Sequence, residues 1–443
     1  MQRVSVVGLG KLGLPLAALL AKSGFETIGV DLDEGVVAAV NRGESPHDEP
    51  GLAELLREVG GESLRATRDH REAIAGSDTT FVLTATPTAE DGSFSNHQVE
   101  AALRDLGVAL RESDKEDHLF IISSTVVPGS TMTSFVPLLE TTTGCRLNEG
   151  FRVAYDPDFV ALGSVLKDFA NPDIVIIGES DTKAGDRVAS IHETLCQSNP
   201  QVSRMSIINA EIAKVCLNVY VTLKVSFANT IANLCERIPG ADCDVVTAAI
   251  GSDKRISPHY FSGGLAFGGT CFPRDVQAFT TISRQHQLEP LIVNAIESVN
   301  EYQEEHLTEV VLRELKSSPS PVVGILGLAF KAGTPVVVGS SGMRLARDLI
   351  EQGVSVEAYD ARAVDEARLE LGDSVRMAES VEELLQRCGL CVVTYRSKDF
   401  VQALQSFQPQ QPLTVLDCWR ILDRDSVDPT VTIRVLGRHD ARA

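Results

Sequence analysis

Apolar strand-like runs and helical stretches alternate over about the first 200 residues of this 443-residue chain. The apolar run at 3–7 ends in the glycine turn GLGKLG, the helical stretch LPLAALLAKSG follows, and the strand-like FETIGVDLD closes the unit. The runs TTFVLTATP, HLFIISST and DIVIIG also have the length and composition of buried strands. This alternation predicts a parallel, doubly wound sheet.

The middle of the chain has a different period. Residues 205–238 carry apolar side chains at helical spacing without a break, which predicts a single long helix. We expect a helix of this length either to link domains or to pair with a second copy of the chain.

The opening pattern returns from Pro321. VVGILGLAFK is typical of a strand and a glycine turn, MRLARDLIEQG of a helix, and SVEAYD of a strand that ends in Asp360. LCVVTYRS and LTVLDCWRILD have the same character as later strands of the first half. We therefore predict an α/β fold with two Rossmann-like, doubly wound domains joined by a long central helix and a helical domain. The predicted boundaries are 1–203, 204–305 and 306–443.

The charge balance narrows the range of partners. The 61 acidic and 40 basic residues give a formal net charge of −21, so no basic surface is expected to attract nucleic acid or an anionic membrane. We find no signal peptide and no apolar stretch as long as a bilayer span. A cytoplasmic protein is the expectation.

The nine cysteines are scattered along the chain, and no metal site is predicted from their spacing. Cys388 and Cys391 match C-x-x-C, but they lead into the apolar run LCVVTY. A buried structural pair is therefore favoured over a redox or zinc site, and reduced thiols are expected.

Gly8, Gly10 and Gly13 form G-x-G-x-x-G between a strand and a helix. The first glycine permits a tight turn, the second lets the backbone approach a pyrophosphate, and the third allows close packing of helix on strand. Asp31 closes the next strand, where a carboxylate accepts from ribose hydroxyls and repels a 2′-phosphate, so NAD is favoured over NADP. The alternative is a glycine turn that binds nothing. The predicted cofactor contacts are Gly8, Gly10, Lys11, Leu12, Gly13, Asp31, Thr86 and Thr125.

The later turn at Gly324–Gly327 lacks a third glycine at the required spacing. We assign no dinucleotide to it.

The segment GGTCFPRD at 268–275 places Cys271 where neither a helix nor a strand is favoured. A glycine pair lets a ligand approach the sulfur, and Asp275 could act as a base or order water if the chain turns back. A thiolate beside a nicotinamide suggests oxidation at the aldehyde level: it adds to a carbonyl, hydride leaves, and a thioester remains for hydrolysis. A packed loop cysteine is the alternative that the residues alone leave open.

Lys214 and Asn218 lie four residues apart on the long helix and share one face. Such a pair could stabilise an oxyanion. A solvated stripe is the alternative.

The segment GGLAFGGTCFPRD resembles the catalytic segment of the UDP-glucose/GDP-mannose 6-dehydrogenase family, which usually reads G-x-G-F-G-G-S-C-F-P-K-D. Further motifs of the family follow in order along essentially the whole chain. They are EPGL at 49–52, STVVPGST at 124–131, YDPDFVALGSVLKDFANPD at 155–173, DKRI at 253–256 and GILGLAFKAGT at 324–334. The resemblance implies oxidation of the C6 alcohol of a nucleotide-linked hexose to a carboxylate, with NAD⁺ consumed twice.

The resemblance also implies the catalytic roles. Cys271 would be the nucleophile, Lys214 and Asn218 would stabilise the oxyanion, and Asp275 would assist proton transfer through water with Thr125. The implied substrate contacts, among which Arg255 would reach the neighbouring subunit's site, are Phe159, Lys214, Asn218, Arg255, Tyr260, Gly264, Phe267, Lys331 and Arg420. The three domains would bind NAD, mediate dimerisation and bind the sugar nucleotide, in chain order.

Several positions depart from the family pattern. Asp158 stands where the family has a glutamate that helps thioester hydrolysis, and its side chain is one methylene shorter. Leu162 replaces a second glutamate, Ala266 replaces a glycine, and residues 338–339 replace an Arg-Glu pair. Arg274 for lysine is a mild change.

UDP-glucose is the leading substrate in this interpretation, and UDP-glucuronate the product. GDP-mannose and UDP-N-acetylhexosamines are alternatives, as is a non-catalytic homologue that only binds a sugar nucleotide. A two-electron hydroxyacid dehydrogenase would need neither Cys271 nor a third domain. The expected assembly is a homodimer or a higher homo-oligomer.

Overall fold

The computed structural model describes residues 3–439. Its strands, numbered β1 to β15, are Arg3–Val7, Glu26–Val30, Leu64–Thr67, Thr79–Val82, His118–Ile122, Arg146–Leu147, Gly150–Tyr155, Ile174–Glu179, Gln201–Ser206, Val322–Leu326, Ser355–Tyr359, Val375–Met377, Leu390–Val393, Leu413–Asp417 and Val431–Val435. Its α-helices, numbered α1 to α16, are Gly13–Lys22, Glu34–Asn41, Leu52–Val59, His70–Gly76, His97–Arg111, Val136–Thr143, Val165–Ala170, Thr182–Leu195, Ile207–Cys235, Cys243–Gly251, Phe272–Gln285, Leu291–Leu315, Ser341–Glu351, Val364–Leu371, Val381–Arg387 and Lys398–Ser406.

The first sheet has the strand order β3-β2-β1-β4-β5-β7-β8-β9, and β6 pairs with β7. From β3 to β7 the neighbouring strands are parallel, and the order 3-2-1-4-5 is that of a doubly wound nucleotide-binding sheet. Strands β4 and β5 are buried along their whole length, as expected where helices cover both faces. The direction of winding reverses between β1 and β4, so a ligand is expected at the carboxyl ends of these strands.

Strand β8 corrects the prediction that the first sheet is parallel throughout. It runs antiparallel to β7, with Ala154 opposite Glu179 and Tyr155 opposite Gly178. A parallel crossover usually needs a helix that spans the sheet, whereas α7, between β7 and β8, has only 6 residues. The chain therefore turns back, and β9 pairs in parallel with β8.

The second sheet has the order β12-β11-β10-β13-β14-β15, and every neighbouring pair is parallel. Numbered within this sheet, the order is 3-2-1-4-5-6, that of a complete Rossmann fold. The two predicted Rossmann-like domains are confirmed.

Helix α9 has 29 residues and fits the periodicity of the middle of the chain. Its most apolar window of 18 residues has a mean hydropathy of 1.3, enough in length and composition to cross a membrane. Our expectation that no stretch has this length is therefore wrong. Polar side chains of α9 nevertheless bind the backbone of other elements, Glu211 at one end and Asn229 towards the other. We interpret α9 as a core helix because a membrane span would leave these groups without their partners.

The chain divides into two compact units between Cys216 and Leu217. Helix α9 begins in the first unit and ends in the second. Within the first unit, apolar side chains pack on both faces of the first sheet; within the second, they pack around the second sheet. The three-domain division at residues 203 and 305 stays a prediction.

Candidate active site

The three glycines after β1 have different surroundings. Gly8 has a φ of +93°, and a Cβ there would lie 2.6 Å from the carbonyl oxygen of Leu83. A Cβ on Gly13 would lie 1.8 Å from the carbonyl oxygen of Gly8, whereas a Cβ on Gly10 would meet no protein atom within 4 Å. The turn is therefore closed by protein at two glycines and open at Gly10, where a pyrophosphate would approach.

Asp31 follows β2 and is partly exposed. Its Oδ2 accepts the backbone N–H of Leu9 at 2.8 Å, and its Oδ1 accepts the N–H of Asp33 at 2.9 Å. Each oxygen keeps a further lone pair for a ribose hydroxyl. His47, which the sequence did not single out, contacts the Leu9 carbonyl oxygen through Nε2 at 2.7 Å. These residues fit NAD.

The other predicted cofactor residues lie at the same edge of the first sheet. Lys11 is exposed and Leu12 partly buried just before α1, while Thr86 follows β4 and Thr125 follows β5. Because β1, β4 and β5 are parallel neighbours, the loops after them leave the sheet at one edge. Contact of each residue with NAD stays a prediction.

Glu211, which the sequence analysis missed, fixes the backbone of the loop after β5. It is fully buried, and its carboxylate accepts the backbone N–H groups of Gly129 at 2.6 Å and Thr131 at 3.0 Å. Burial raises the pKa of Glu211, although these hydrogen bonds oppose the rise. The carboxylate holds the loop that carries Thr125. An acid on an otherwise apolar helix, one turn before Lys214, was the available signal.

In the first unit, the ammonium group of Lys214 contacts two of the predicted site residues, Asp158 and Phe159. Its side chain is 8% exposed and its Nζ lies 3.7 Å from Oδ1 of Asp158. Nζ also donates to the Asp158 carbonyl oxygen and lies 4.8 Å from the centroid of the Phe159 ring, a cation–π contact. The alternative of a solvated stripe is therefore wrong for Lys214.

Glu49, the first residue of the EPGL motif, holds the segment that follows Asp158. Its Oε2 accepts the N–H of Gly163 and its Oε1 accepts the N–H of Val165, both at 2.8 Å. These hydrogen bonds join the EPGL motif to the motif at 155–173, whereas only the order of the two motifs along the chain could be read from the sequence.

Asp156, two residues before Asp158, is buried and pairs with His192, whose side chain is partly buried. Nε2 of His192 lies 2.9 and 3.0 Å from the two carboxylate oxygens, and its Nδ1 lies 3.8 Å from Sγ of Cys196. Burial alone lowers the pKa of His192, but the charge and hydrogen bond of Asp156 outweigh it and raise this pKa to about 10. The imidazolium neutralises Asp156 at neutral pH.

In the second unit, Cys271 is exposed and is the N-cap residue of α11. It is therefore not a residue of an extended loop, because the helix begins directly at Phe272. Pro273 lies in the first turn, where a missing N–H costs no hydrogen bond, and the N–H of Asp275 donates to the Cys271 carbonyl oxygen at 2.8 Å. The positive end of the α11 dipole stabilises a negative charge near Sγ.

Asp275 is fully buried and shares the first turn of α11 with the thiol. Nδ2 of Asn218 donates to its Oδ2 at 2.5 Å, and the guanidinium of Arg274 donates to its Oδ1 at 2.9 and 3.0 Å. Two of the predicted catalytic residues, Asn218 and Asp275, are therefore in direct contact. A charged acid at full burial requires such partners.

Three predicted substrate residues lie in the segment before Cys271. Tyr260 is 56% exposed and has a φ of +58°. Gly264 is buried, and a Cβ there would lie 2.5 Å from the Trp419 ring, which explains the glycine. The rings of Tyr260 and Phe267 meet the Phe272 ring edge-on, with centroids 6.1 and 6.3 Å from it.

Arg255 is 86% exposed and pairs with Asp253 at 2.6 Å. The loop that follows is held by Lys224, whose Nζ donates to three carbonyl oxygens of residues 256–259 at 2.5 to 3.1 Å. The exposed position of Arg255 leaves it accessible to another molecule, but its role in a neighbouring site stays a prediction.

Arg420 is almost completely buried, and its side chain is 3% exposed. Its five N–H donors bind the Asp244 carboxylate at 2.7 and 2.9 Å and the carbonyl oxygens of Gly263, Leu436 and Cys418 at 2.6, 2.8 and 3.3 Å. A contact with a substrate would have to displace one of these bonds. Contact of Arg420 with a substrate therefore stays a prediction, whereas its hydrogen bonds within the protein show a structural role.

The glycine turn after β10 differs from the first one. A Cβ on Gly342 would lie 2.1 Å from the Gly327 carbonyl oxygen, so the third glycine is present, but only after the inserted segment that carries the exposed Lys331. Asp360, the counterpart of Asp31, is buried and accepts the hydroxyl of Tyr395 at 3.1 Å. This carboxylate is therefore buried, whereas that of Asp31 is partly exposed.

Cys388 and Cys391 are both buried as free thiols, and burial raises the pKa of Cys391. The interpretation as a buried structural pair is confirmed. Over residues 3–439, no group of His, Cys, Asp and Glu side chains has the arrangement of a metal site.

Comparison with known proteins gives one consistent result. Profiles of the UDP-glucose/GDP-mannose dehydrogenase family match as the NAD binding domain at 2–196, the central domain at 208–302 and the UDP binding domain at 324–424. UDP-glucose 6-dehydrogenase AglM of Haloferax volcanii is 34% identical over 95% of this chain and 97% of that protein. A GDP-mannose 6-dehydrogenase of Pseudomonas putida is 34% identical over 81% of this chain and 80% of that protein. The solved structure of a UDP-glucose dehydrogenase from Pyrobaculum islandicum has a TM-score of 0.88 and 33% identity, and the match covers 99% of this chain and 98% of that one.

Proposed function

Since the chain belongs to the UDP-glucose/GDP-mannose dehydrogenase family, we propose that its substrate is UDP-glucose and its product UDP-glucuronate. The chain is an NAD-dependent nucleotide-sugar 6-dehydrogenase. The similarity to two proteins named UDP-glucose dehydrogenases, over nearly the whole of each chain, supports the choice of sugar nucleotide. The residue roles below are part of the proposal.

One observation supports the covalent route most directly. The Cys271 thiol is exposed at the N-terminus of α11, and the buried carboxylate of Asp275 stands in the first turn of the same helix. After the C6 alcohol is oxidised to an aldehyde, the thiolate adds to the carbonyl carbon to form a thiohemiacetal. Loss of a second hydride gives a thioester, and water then releases the acid and the thiol.

The reaction balances as alcohol plus two NAD⁺ plus water giving carboxylate, two NADH and three protons. Bound NAD⁺ supplies the hydride acceptor in both oxidations. The open position at Gly10 and the fixed carboxylate of Asp31 support binding of its pyrophosphate and ribose.

Protein groups stabilise the charge that develops on the substrate oxygen. We assign this role to the ammonium of Lys214 and the amide of Asn218, since such donors act on an oxyanion through preorganised hydrogen bonds. Asp275 would accept a proton through water with Thr125. Asp158 would assist thioester hydrolysis despite its short side chain, because its carboxylate lies 3.7 Å from Nζ of Lys214.

GDP-mannose is the second candidate substrate, and the Pseudomonas relatives named GDP-mannose 6-dehydrogenases support it. UDP-N-acetylhexosamines and a non-catalytic binding role remain alternatives. The test is incubation with NAD⁺ and a panel of these sugar nucleotides, followed by mass spectrometry of the products and a count of NADH formed per sugar. We expect an acid from UDP-glucose; an acid from another member alone would overturn the choice of substrate, and unchanged sugars throughout would overturn the enzyme activity.

The proposal includes a homodimer, or a larger homo-oligomer, in the cytoplasm. Helix α9 exposes the large apolar side chains of Tyr220, Phe227 and Leu234 at 57%, 54% and 57%. They recur at intervals that place them on one side of the helix, and such a stripe is suited to pairing with a second copy. The nine free thiols support a reducing compartment.

A further inference from the structure

The segment 263–267, just before Cys271, belongs to no helix or strand. The hydrogen bonds of a helix or a sheet therefore do not fix its conformation. Its backbone groups are instead bound by amide side chains that project from two helices of the second unit, α9 and α12. We call residues 263–267 the glycine segment.

Two amides bind Gly264. Oδ1 of Asn229 accepts its N–H at 2.8 Å, and Nε2 of Gln303 donates to its carbonyl oxygen at 2.5 Å. Nδ2 of Asn229 also donates to the Leu265 carbonyl oxygen at 3.1 Å. Asn233 donates to Oε1 of Gln303 at 2.9 Å and so fixes which end of that amide faces the segment. Asn229 and Gln303 are both 1% exposed.

Asn300 binds the far end of the segment in the manner of a β-strand neighbour. Its Oδ1 accepts the N–H of Phe267 at 2.8 Å, and its Nδ2 donates to the Phe267 carbonyl oxygen at 3.1 Å. It also lines, with Phe267 and Pro273, a cavity of about 310 Å³. The backbone of Phe267 is thus fixed at both its donor and its acceptor.

We propose that Asn229, Asn300 and Gln303 are positioning residues, which hold the glycine segment in its substrate-binding conformation before the nucleotide sugar arrives. The inference rests on the proposed function, because the segment carries two of the predicted substrate contacts, Gly264 and Phe267. It adds residues to that function for which neither the sequence nor the comparisons gave a role.

The physical argument is the cost of ordering. Fixing one residue of flexible backbone costs about 1–2 kcal/mol, and a site that is ordered only part of the time binds more weakly in proportion to its ordered fraction. The five bonds from the three amides offset that cost in the free protein. Removal of an amide would transfer the cost to substrate binding, while the thiol and Asp275 stay in place on α11.

The kinetic test uses Asn300→Ala and Gln303→Met, the second of which keeps a similar volume. The matched control is Asn294→Ala on α12, since the Asn294 amide donates to the exposed Glu289 side chain at 2.9 Å. We expect KM for the nucleotide sugar to rise about tenfold or more in each test variant. The kcat and the KM for NAD⁺ should stay within about twofold, and the control should match the wild type.

Hydrogen exchange of the ligand-free proteins provides a readout that does not depend on activity. The amides of residues 263–267 should exchange at least about tenfold faster in Asn300→Ala than in the wild type, with α11 unchanged. If the glycine segment stays equally protected, or kcat falls while KM does not change, the positioning role is wrong. If the wild type turns over no sugar nucleotide while the exchange result is as expected, the proposed function fails and the fixing of the segment stands.

Discussion

At the scale of single residues, Asp275 shows the largest difference between the exposure expected from the local sequence and the burial found in the structure. A carboxylate in a polar stretch such as CFPRD would ordinarily be exposed, yet this one is fully buried between Asn218 and Arg274. The contact with Asn218 could not be read from the sequence, because their positions are far apart along the chain. It makes the amide a direct partner of the acid as well as a candidate oxyanion donor.

Replacement of Asn218 by Asp should therefore do more than remove one donor. Two carboxylates within hydrogen-bond distance share a proton, so the pH profile of kcat should gain an ionisation. Loss of an oxyanion donor should lower kcat by about 10² to 10³. Steady-state kinetics across pH measure both, with Asn294→Asp on the surface of α12 as the control. An unchanged profile and rate would remove Asn218 from the catalytic group.

The pair of Asp156 and His192 predicts a pH dependence of stability. The pKa of His192 is raised to about 10 in the folded chain, from an ordinary 6.5. The stability from the pair is therefore complete below about pH 6.5 and is lost as the pH rises towards about 10. Because Sγ of Cys196 lies 3.8 Å from Nδ1 of His192, the comparison is made with Cys196→Ala in every protein.

The double variant Asp156→Asn with His192→Gln removes both charges without leaving one unpaired. The protein that carries Cys196→Ala alone should be more stable than the same protein with the double variant added. We expect this difference in unfolding free energy to be larger at pH 6 than at pH 10, by several kcal/mol. Urea unfolding at a series of pH values measures the difference. A difference that stays constant across this range would contradict the raised pKa.

At the scale of elements, the strand pattern and the first glycine turn were predictable because both are local. Strand β1 was located to the residue, and α9 to within a few residues at each end. The sequence analysis named neither β7, which contains Arg152, nor the largely polar β9, since their hydrophobic patterns are weak. The glycine partner of Gly327 was also missed, because Gly342 completes that turn only after an insertion.

The first glycine turn yields a matched pair of variants. Gly13→Ala would place a Cβ 1.8 Å from the Gly8 carbonyl oxygen, whereas Gly10→Ala would meet no protein atom within 4 Å. We expect Gly13→Ala to lose about 1–3 kcal/mol of unfolding free energy and Gly10→Ala to keep it. The KM for NAD⁺ should rise about tenfold or more in Gly10→Ala, because the methyl group occupies the path of the pyrophosphate. Unchanged NAD⁺ kinetics would place the cofactor elsewhere.

At the scale of the whole molecule, the family motifs fixed the class of reaction, but single-sequence reasoning could not give their spatial relations. EPGL, for example, turned out to hold the segment around Asp158 through Glu49. The predicted role of Arg420 shows the opposite limit. Its position matches a cationic substrate contact of the family, yet all five N–H donors of Arg420 bind groups of its own chain.

The assembly is tested by charges on the apolar stripe of α9. Tyr220→Glu combined with Leu234→Glu should dissociate the proposed oligomer, because each position is 57% exposed in the single chain and would face a second copy. Light scattering after size exclusion measures the mass. Leu369→Glu, at a position 87% exposed on α14, is the control and should leave the mass unchanged. A double variant with the wild-type mass would exclude this stripe as the interface.

The central claim is that the Cys271 thiol carries the sugar through the second of two oxidations, from aldehyde to acid. The most direct measurement is the amount of NADH formed per molecule of UDP-glucose consumed, by the wild type, Cys271→Ala and the control Cys145→Ala. The account predicts two NADH and one UDP-glucuronate for the wild type and the control, and no acid from Cys271→Ala. One NADH per sugar from the wild type, or acid from Cys271→Ala at the original rate, would contradict it.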